Sequence, residues 1–212
     1  MCGIVAYIGD ERAGPILFDT LKRLEYRGYD SAGVAVLSRG SVQVLKSSGR
    51  IADLEKTYKS MGSPGEGVGI GHTRWATHGR PSDINAHPHT SGEVAIVHNG
   101  IIENYLDLRE LLTEMGYEFQ SETGSEVLAH LIHFYYKGDL CRATLQALEK
   151  VEGSYAIAVM AASSPYIVCA RKESPLVIGK GSSSVFVASD IPALLPYTRD
   201  VIRMRDGDIA RI

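Results

Sequence analysis

Strand candidates are spread along the whole of this 212-residue chain, whereas its helical patterns gather towards the middle. That order restricts the architectures open to it. GIVAYI (3–8) reads as a buried strand bounded by glycines. A helix follows over 13–25, with Pro15 in its first turn and Ile16, Leu17, Leu21 and Leu24 on one face. Alternating runs at 33–37 and 42–46 form a hairpin pattern around Arg39-Gly40, and 50–59 is helical up to the Gly/Ser/Pro cluster at 62–67. Strand-like runs at 68–73 and 93–98 flank a long polar connection, and helices are expected over 100–115, 126–137 and 141–151. The last third is dense in short strands: 155–161, 166–171, 176–179, 185–188, 201–204 and 208–211. A regular βαβ repeat does not fit; an α+β fold with packed antiparallel sheets does.

The apolar share of 44% supports a full core, and a formal charge of −3 without any basic block points to no nucleic-acid partner. No apolar stretch has the length of a membrane span and no secretory signal opens the chain. Three cysteines, an odd number without CxxC spacing, argue for a reducing compartment and hence a soluble cytoplasmic protein. Cys141 and Cys169 lie in apolar-rich stretches and read as core residues.

Cys2 is different. If Met1 is trimmed, its thiol and a free α-amine share one amino acid, and both groups have ordinary pKa values near neutral to mildly alkaline pH. A nucleophile carrying its own base is one route to amide chemistry. Such chemistry also needs hydrogen donors for a tetrahedral oxyanion, which the side chain of Asn99 and the backbone of Gly100 in VHNGIIEN can supply. Arg74 is a bidentate partner for a substrate carboxylate, and the single tryptophan, Trp75, beside it could close over a ligand. Each has a plainer reading: Cys2 as a small buried hydrophobe, Asn99 as a helix cap, Arg74 in a surface ion pair. Five of the seven histidines fall within 72–98, and His87-Pro88-His89 has the look of a metal pair. No acidic or cysteine ligand joins them at a zinc spacing, so no metal is expected. The glycines form neither a phosphate loop nor a dinucleotide fingerprint.

The runs MCGIV, LEYRGYDSAG (24–33), HTRWATHGRPSDINAHPH (72–89) and VHNGIIENY (97–105), with SPLVIG and ASDIPALLP further on, resemble class II glutamine amidotransferases. The likeness extends over the whole chain and is greatest to the glutaminase domain of the glucosamine-6-phosphate synthase family. The resemblance implies an N-terminal-nucleophile hydrolase fold, a four-layer αββα arrangement over residues 2–212, that hydrolyses L-glutamine through a Cys2 thioester without a cofactor. It casts Asn99 and Gly100 as the oxyanion hole and Arg74, with Thr77, His78 and His87, as the substrate site. Trp75 becomes a gate, and Arg27, Tyr29 and Asp30 order the surroundings of Cys2. It further implies C-terminal sugar-phosphate isomerase domains, absent here, that bind fructose 6-phosphate and receive the ammonia for hexosamine synthesis. The isolated domain would be monomeric and the intact enzyme homodimeric, with no nucleic acid or membrane partner.

One position departs from the pattern. Where the family places an aspartate that holds the substrate ammonium, SETGSE (121–126) carries Gly124. The Gly100 carbonyl then remains as an amine contact, Glu122 offers a charge at longer reach, and the capping-box spacing of Thr123 and Glu126 keeps the helix start. A weak or silent glutamine-binding domain, or the glutaminase of another class II amidotransferase, stands as the alternative.

Overall fold

The computed structural model describes residues 2–75 and 79–212. Among the described residues twelve strands form two antiparallel sheets. The larger sheet contains β1 (Gly3–Gly9), β2 (Ser31–Ser38), β3 (Ser41–Ser48), β4 (Val68–Arg74), β9 (Val177–Lys180), β10 (Ser184–Ala188) and β11 (Val201–Arg203). Their order is β11-β9-β10-β1-β4-β2-β3. The smaller sheet runs β12-β8-β7-β6-β5, from β5 (His89–Ser91), β6 (Val94–Ile102), β7 (Gly153–Ala161), β8 (Val168–Lys172) and β12 (Ile209–Arg211).

Three apolar clusters define the layering. Val5 and Tyr7 of β1 pack with Leu17 and Leu21 of α1 (Ala13–Lys22) and Leu54 of α2 (Ile51–Ser60) on the outer face of the larger sheet. Ile4, Ala6 and Ile70 meet Ala95, Val97 and Ala158 between the sheets. Ile96, Ile157 and Val159 pack outward on Leu112 of α3 (Tyr105–Glu114), Leu128 and Leu131 of α4 (Ser125–Tyr135) and Ala143 of α5 (Leu140–Leu148). The result is the αββα order of the N-terminal-nucleophile fold. Because β1 is covered on both faces, its sequence is a continuous apolar run rather than an alternating one.

Alternation along β4 explains its composition. A Cβ at Gly69 or Gly71 would lie 2.8 Å from Leu17 or 3.0 Å from Leu21, so these glycines let α1 approach. Ile70, His72 and Arg74 point the other way, into the space between the sheets. The β2–β3 hairpin turns through Arg39 and Gly40 at φ 51° and 72°, the left-handed pair that a two-residue hairpin uses.

Four expectations change. The helix expected over 13–25 stops at Lys22, and Glu25–Arg27 form a single 3-10 turn instead. The strand expected at 93–98 continues to Ile102, and α3 begins only at Tyr105, because Asn99 and Gly100 pair with Ala156 and Tyr155 of β7. The long connection contains a short strand, β5, paired with β6. The capping box does not form: Glu126 turns back to accept the N–H groups of Gln120 and Ser121 at 3.0 and 2.7 Å, and Gly124 opens α4 without a side-chain cap. Cys169 is buried between the sheets, and Cys141 is partly buried against the apolar cluster under α3–α5. Among the described residues no helix is long and apolar enough to cross a membrane.

Candidate functional site

A cavity of about 110 Å3 opens at one end of the sandwich. It is smaller than the 300–1,000 Å3 typical of drug-sized ligands, so it suits a small molecule. The inward positions of three strands converge there. Cys2 stands at the head of β1 in phase with Ile4 and Ala6; Arg74 ends β4; Asn99 lies on β6 in phase with Ala95 and Val97. Register sets this convergence, since Gly3 pairs with Thr73 and Ile4 with His72.

The Cys2 thiol faces the peptide of Trp75, whose N–H donates to Sγ at 3.3 Å. The Cys2 carbonyl accepts from Arg27 Nε at 3.0 Å and from Asn99 Nδ2 at 3.1 Å. Burial pushes the thiol above its ordinary pKa, an effect that the Trp75 N–H and the charges of Arg74 and Arg27 oppose.

Arg27 is buried and ion-pairs with Asp190 at 3.4 Å, a carboxylate that also accepts from Tyr26. The following turn binds the end of β4: Thr73 donates to the Gly28 carbonyl, and Asp30 N–H donates to the Arg74 carbonyl at 3.0 Å. A Cβ at Gly28 would stand 2.7 Å from the carbonyl carbon of Arg74 and the nitrogen of Trp75. Only glycine permits that approach, which fixes the peptide that meets Sγ. Tyr29 packs edge-on to Trp75 with ring centroids 5.5 Å apart, and Trp75 remains 44% exposed at the rim.

Arg74 is 5% exposed and so is not a surface side chain; its Nη2 donates to the Gly79 carbonyl at 3.1 Å. Asn99 is not a helix cap. Its Nδ2 donates to the Cys2 carbonyl and to Ser189 Oγ at 3.1 Å, and its Oδ1 lies 2.9 Å from His72 Nε2. That nitrogen sits between two carbonyl oxygens, the second being that of His98 at 3.2 Å, so it carries the proton. A neutral His72 thereby dictates which way the Asn99 amide faces. Burial holds the His72 pKa down to about 3, so this tautomer persists at working pH. Gly100 has φ +127°, and a Cβ there would meet the Ser154 carbonyl oxygen at 2.1 Å.

His87 lines the cavity, buried, tilted against His72 and edge-on to His89 with centroids 4.1 and 4.5 Å away. Burial, helped by those rings, His98 and Arg74, keeps it well below the usual histidine range. His89 bonds Thr123 at 3.0 Å and His98 bonds Ser125 at 2.8 Å. His72, His89 and His98 are hydrogen-bonded, and His87 packs against its neighbouring rings; among the described residues no group of three or more His, Cys, Asp or Glu is placed to hold a metal. Thr77 and His78 lie outside the described residues. Sequence reasoning missed His72, Ser189 and Tyr105. The alternation of Ile70, His72 and Arg74 could have placed the first on the inner face.

The geometry agrees with comparisons to known proteins. Residues 72–196 match the model of the glutamine amidotransferase domain. The glutamine–fructose-6-phosphate aminotransferases (isomerizing) of Clostridium tetani and Symbiobacterium thermophilum are 54% and 57% identical over 98% and 100% of the chain. The chain spans about a third of the length of these relatives, 34% and 35%. The glutamine phosphoribosylpyrophosphate amidotransferase of B. subtilis superimposes with a TM-score of 0.86 at 26% identity, covering 100% of this chain and 47% of that one. Fold, match to the domain model and the meeting of Cys2 with Asn99 agree, and the chain belongs to the glutamine amidotransferase domain family.

Proposed function

We propose that residues 2–212 form a glutaminase domain that hydrolyses L-glutamine to glutamate and ammonia through a thioester on Cys2. The observation that carries this reading is the 3.1 Å bond between Asn99 Nδ2 and the Cys2 carbonyl, which brings residues 97 positions apart to one small cavity beside Arg74. With Met1 removed, the Cys2 amine takes the Sγ proton as sulfur attacks the γ-amide carbon. The oxyanion is held by Asn99 Nδ2, which leaves its resting partners, and by the Gly100 N–H. The protonated amine then gives its proton to the departing ammonia, and water cleaves the thioester. Arg74 holds the substrate α-carboxylate as a charge-assisted pair, with Thr77, His78 and His87 around it. Trp75 covers the cavity, and Arg27, Tyr29 and Asp30 hold the nucleophile and its facing peptide.

The relatives' names extend the reading. In a longer polypeptide, C-terminal isomerase domains would bind fructose 6-phosphate, and the ammonia would pass to it to give glucosamine 6-phosphate. That enzyme would be a cytoplasmic homodimer. Diazo-oxo-norleucine tests the core of the proposal: it adds its mass to the Cys2 peptide and abolishes ammonia release, and intact mass reports whether Met1 is gone. A chain that lacks Met1, takes no adduct at millimolar reagent and releases no ammonia would instead be a silent binding domain.

A further inference from the structure

A zwitterion entering a cavity of about 110 Å3 loses water from a cation as well as an anion, and each needs an opposite charge. The described residues lining this cavity include one guanidinium, Arg74, and one carboxylate, Glu122. From these placements we infer that Glu122 is the group that recognises the substrate α-ammonium and so selects α-amino acids; the inference rests on the glutaminase reading above.

Three observations carry it. Glu122 is held before any ligand arrives: its Oε2 accepts from Asn85 Nδ2 at 3.0 Å, and its own N–H donates to Asn85 Oδ1 at 3.0 Å. Asn85 is itself buried and tied to the Arg80 carbonyl and Ser82. Glu122 is an exposed residue, yet its carboxylate is held by a reciprocal pair with buried Asn85, which lowers the cost of ordering it on binding. Secondly, both charges gather at Gly79: Arg74 Nη2 donates to its carbonyl at 3.1 Å, and a Cβ there would lie 3.3 Å from Glu122 Oε2, so both ends of one amino acid's charged head can be met together. Thirdly, Gly124 contributes no side chain, and the space above it is taken by Tyr105. A Cβ at Gly124 would lie 3.2 Å from Tyr105 Cβ and Cγ.

The test pairs an enzyme change with a substrate change. Glu122→Gln keeps the shape and the bond accepted from Asn85 while removing the charge. L-glutamine and its desamino analogue glutaramate differ only in the α-amine. Glu122→Gln is expected to raise KM for glutamine about tenfold with kcat within twofold, a size between exposed and charge-assisted pairs. The preference of the wild-type chain for glutamine over glutaramate in kcat/KM should shrink by the same factor in the variant. A purely structural role through Asn85 would alter both substrates alike and leave that preference unchanged, which overturns the inference. Ammonia release with an unshifted preference would leave the glutaminase reading standing alone; no release from either substrate by the wild-type chain would remove both.

Discussion

Replacing His72 by Phe separates the orientation of the oxyanion donor from its presence. Phe keeps a ring against His87, 4.1 Å away, and removes the Nε2–H that meets Asn99 Oδ1 at 2.9 Å and the His98 carbonyl at 3.2 Å. His72 is fully buried, so no water replaces the lost donor. Leaving buried acceptors short of a partner costs about 1–3 kcal/mol each, and a neutral hydrogen bond contributes about 1 kcal/mol. Stability should fall by about 2–4 kcal/mol, or roughly 5–15 °C in Tm for a chain of this size. The catalytic effect has a ceiling: losing one oxyanion donor outright costs about 10²–10³ in kcat. Two bonds from Nδ2, to Cys2 and Ser189, still favour the native amide orientation, so His72→Phe should fall short of that ceiling, with kcat down about tenfold to hundredfold. KM should hold, because His72 is not among the residues lining the cavity. Steady-state ammonia release at a temperature where both proteins are folded measures this, with Asn99→Ala setting the ceiling. A variant with wild-type kcat, beside an inactive Asn99→Ala, would refute the orienting role.

Acid should destabilise the protein well above the carboxylate range. Burial holds His72 and His89 at about 3, His98 at about 4 and His87 well below 6.5, with Lys46 and Arg74 adding to the effect at His89 and Glu126 opposing it. Folded pKa values lie below unfolded ones, so the unfolded state binds more protons and stability is lost as pH falls below about 6.5. At about 1.4 kcal/mol per histidine per pH unit, four groups remove on the order of 5 kcal/mol between pH 7.5 and 5.5, visible as a Tm fall of roughly 10–20 °C; a flat Tm over that window contradicts the neutral histidines. Gly124→Asp adds a carboxylate to the cavity but its Cβ starts 3.2 Å from Tyr105, so KM for glutamine should drop about tenfold, the low end for a charge-assisted contact. Equal KM values in the two proteins would mean that the new carboxylate does not reach the ammonium. Inserting one alanine between Cys2 and Gly3 leaves every β1 pair intact yet turns the thiol to the opposite face. Tm should change by less than about 3 °C while ammonia release vanishes, and retained turnover would show that Cys2 reaches the substrate without strand register.

Much of the larger sheet was legible because its strands carry local signals. The continuous apolar run of β1, the Arg39-Gly40 turn and the Gly/Ser/Pro break after α2 each encode their own conformation. Cys2 and Arg74 stood out by their chemistry, and both line the cavity. What stayed hidden depends on neighbours distant in sequence. Asn99-Gly100 reads as a strand-ending turn, yet pairing with Ala156 and Tyr155 keeps it in β6, and the positive φ of Gly100 is accommodated inside the sheet. Glu126 has the spacing of a capping residue, but two backbone donors at Gln120 and Ser121 compete for it and win. His72 falls in the strand expected at 68–73, but its acceptor lies on the partner sheet and no local pattern names it. Periodicity tells which face a side chain takes; it does not say which strand lies opposite.

That distinction explains how a site can be assembled from positions as far apart as 2, 74 and 99. β1 is flanked by β4 and β10, so its first residue is carried to the end of the sandwich with little freedom left. The inner faces of β4 and β6 oppose each other there, and the bond from His72 to Asn99 joins the two sheets at the point where Cys2 emerges. Ser189 adds a third tie, accepting from Ile4 N–H at 2.7 Å and from Asn99 Nδ2. The donor proposed for the oxyanion is therefore held by the same contacts that hold the sheets together. Loosening the sheet interface and misaiming the chemistry are one physical event, and variants at these contacts should lose turnover in proportion to the packing they lose.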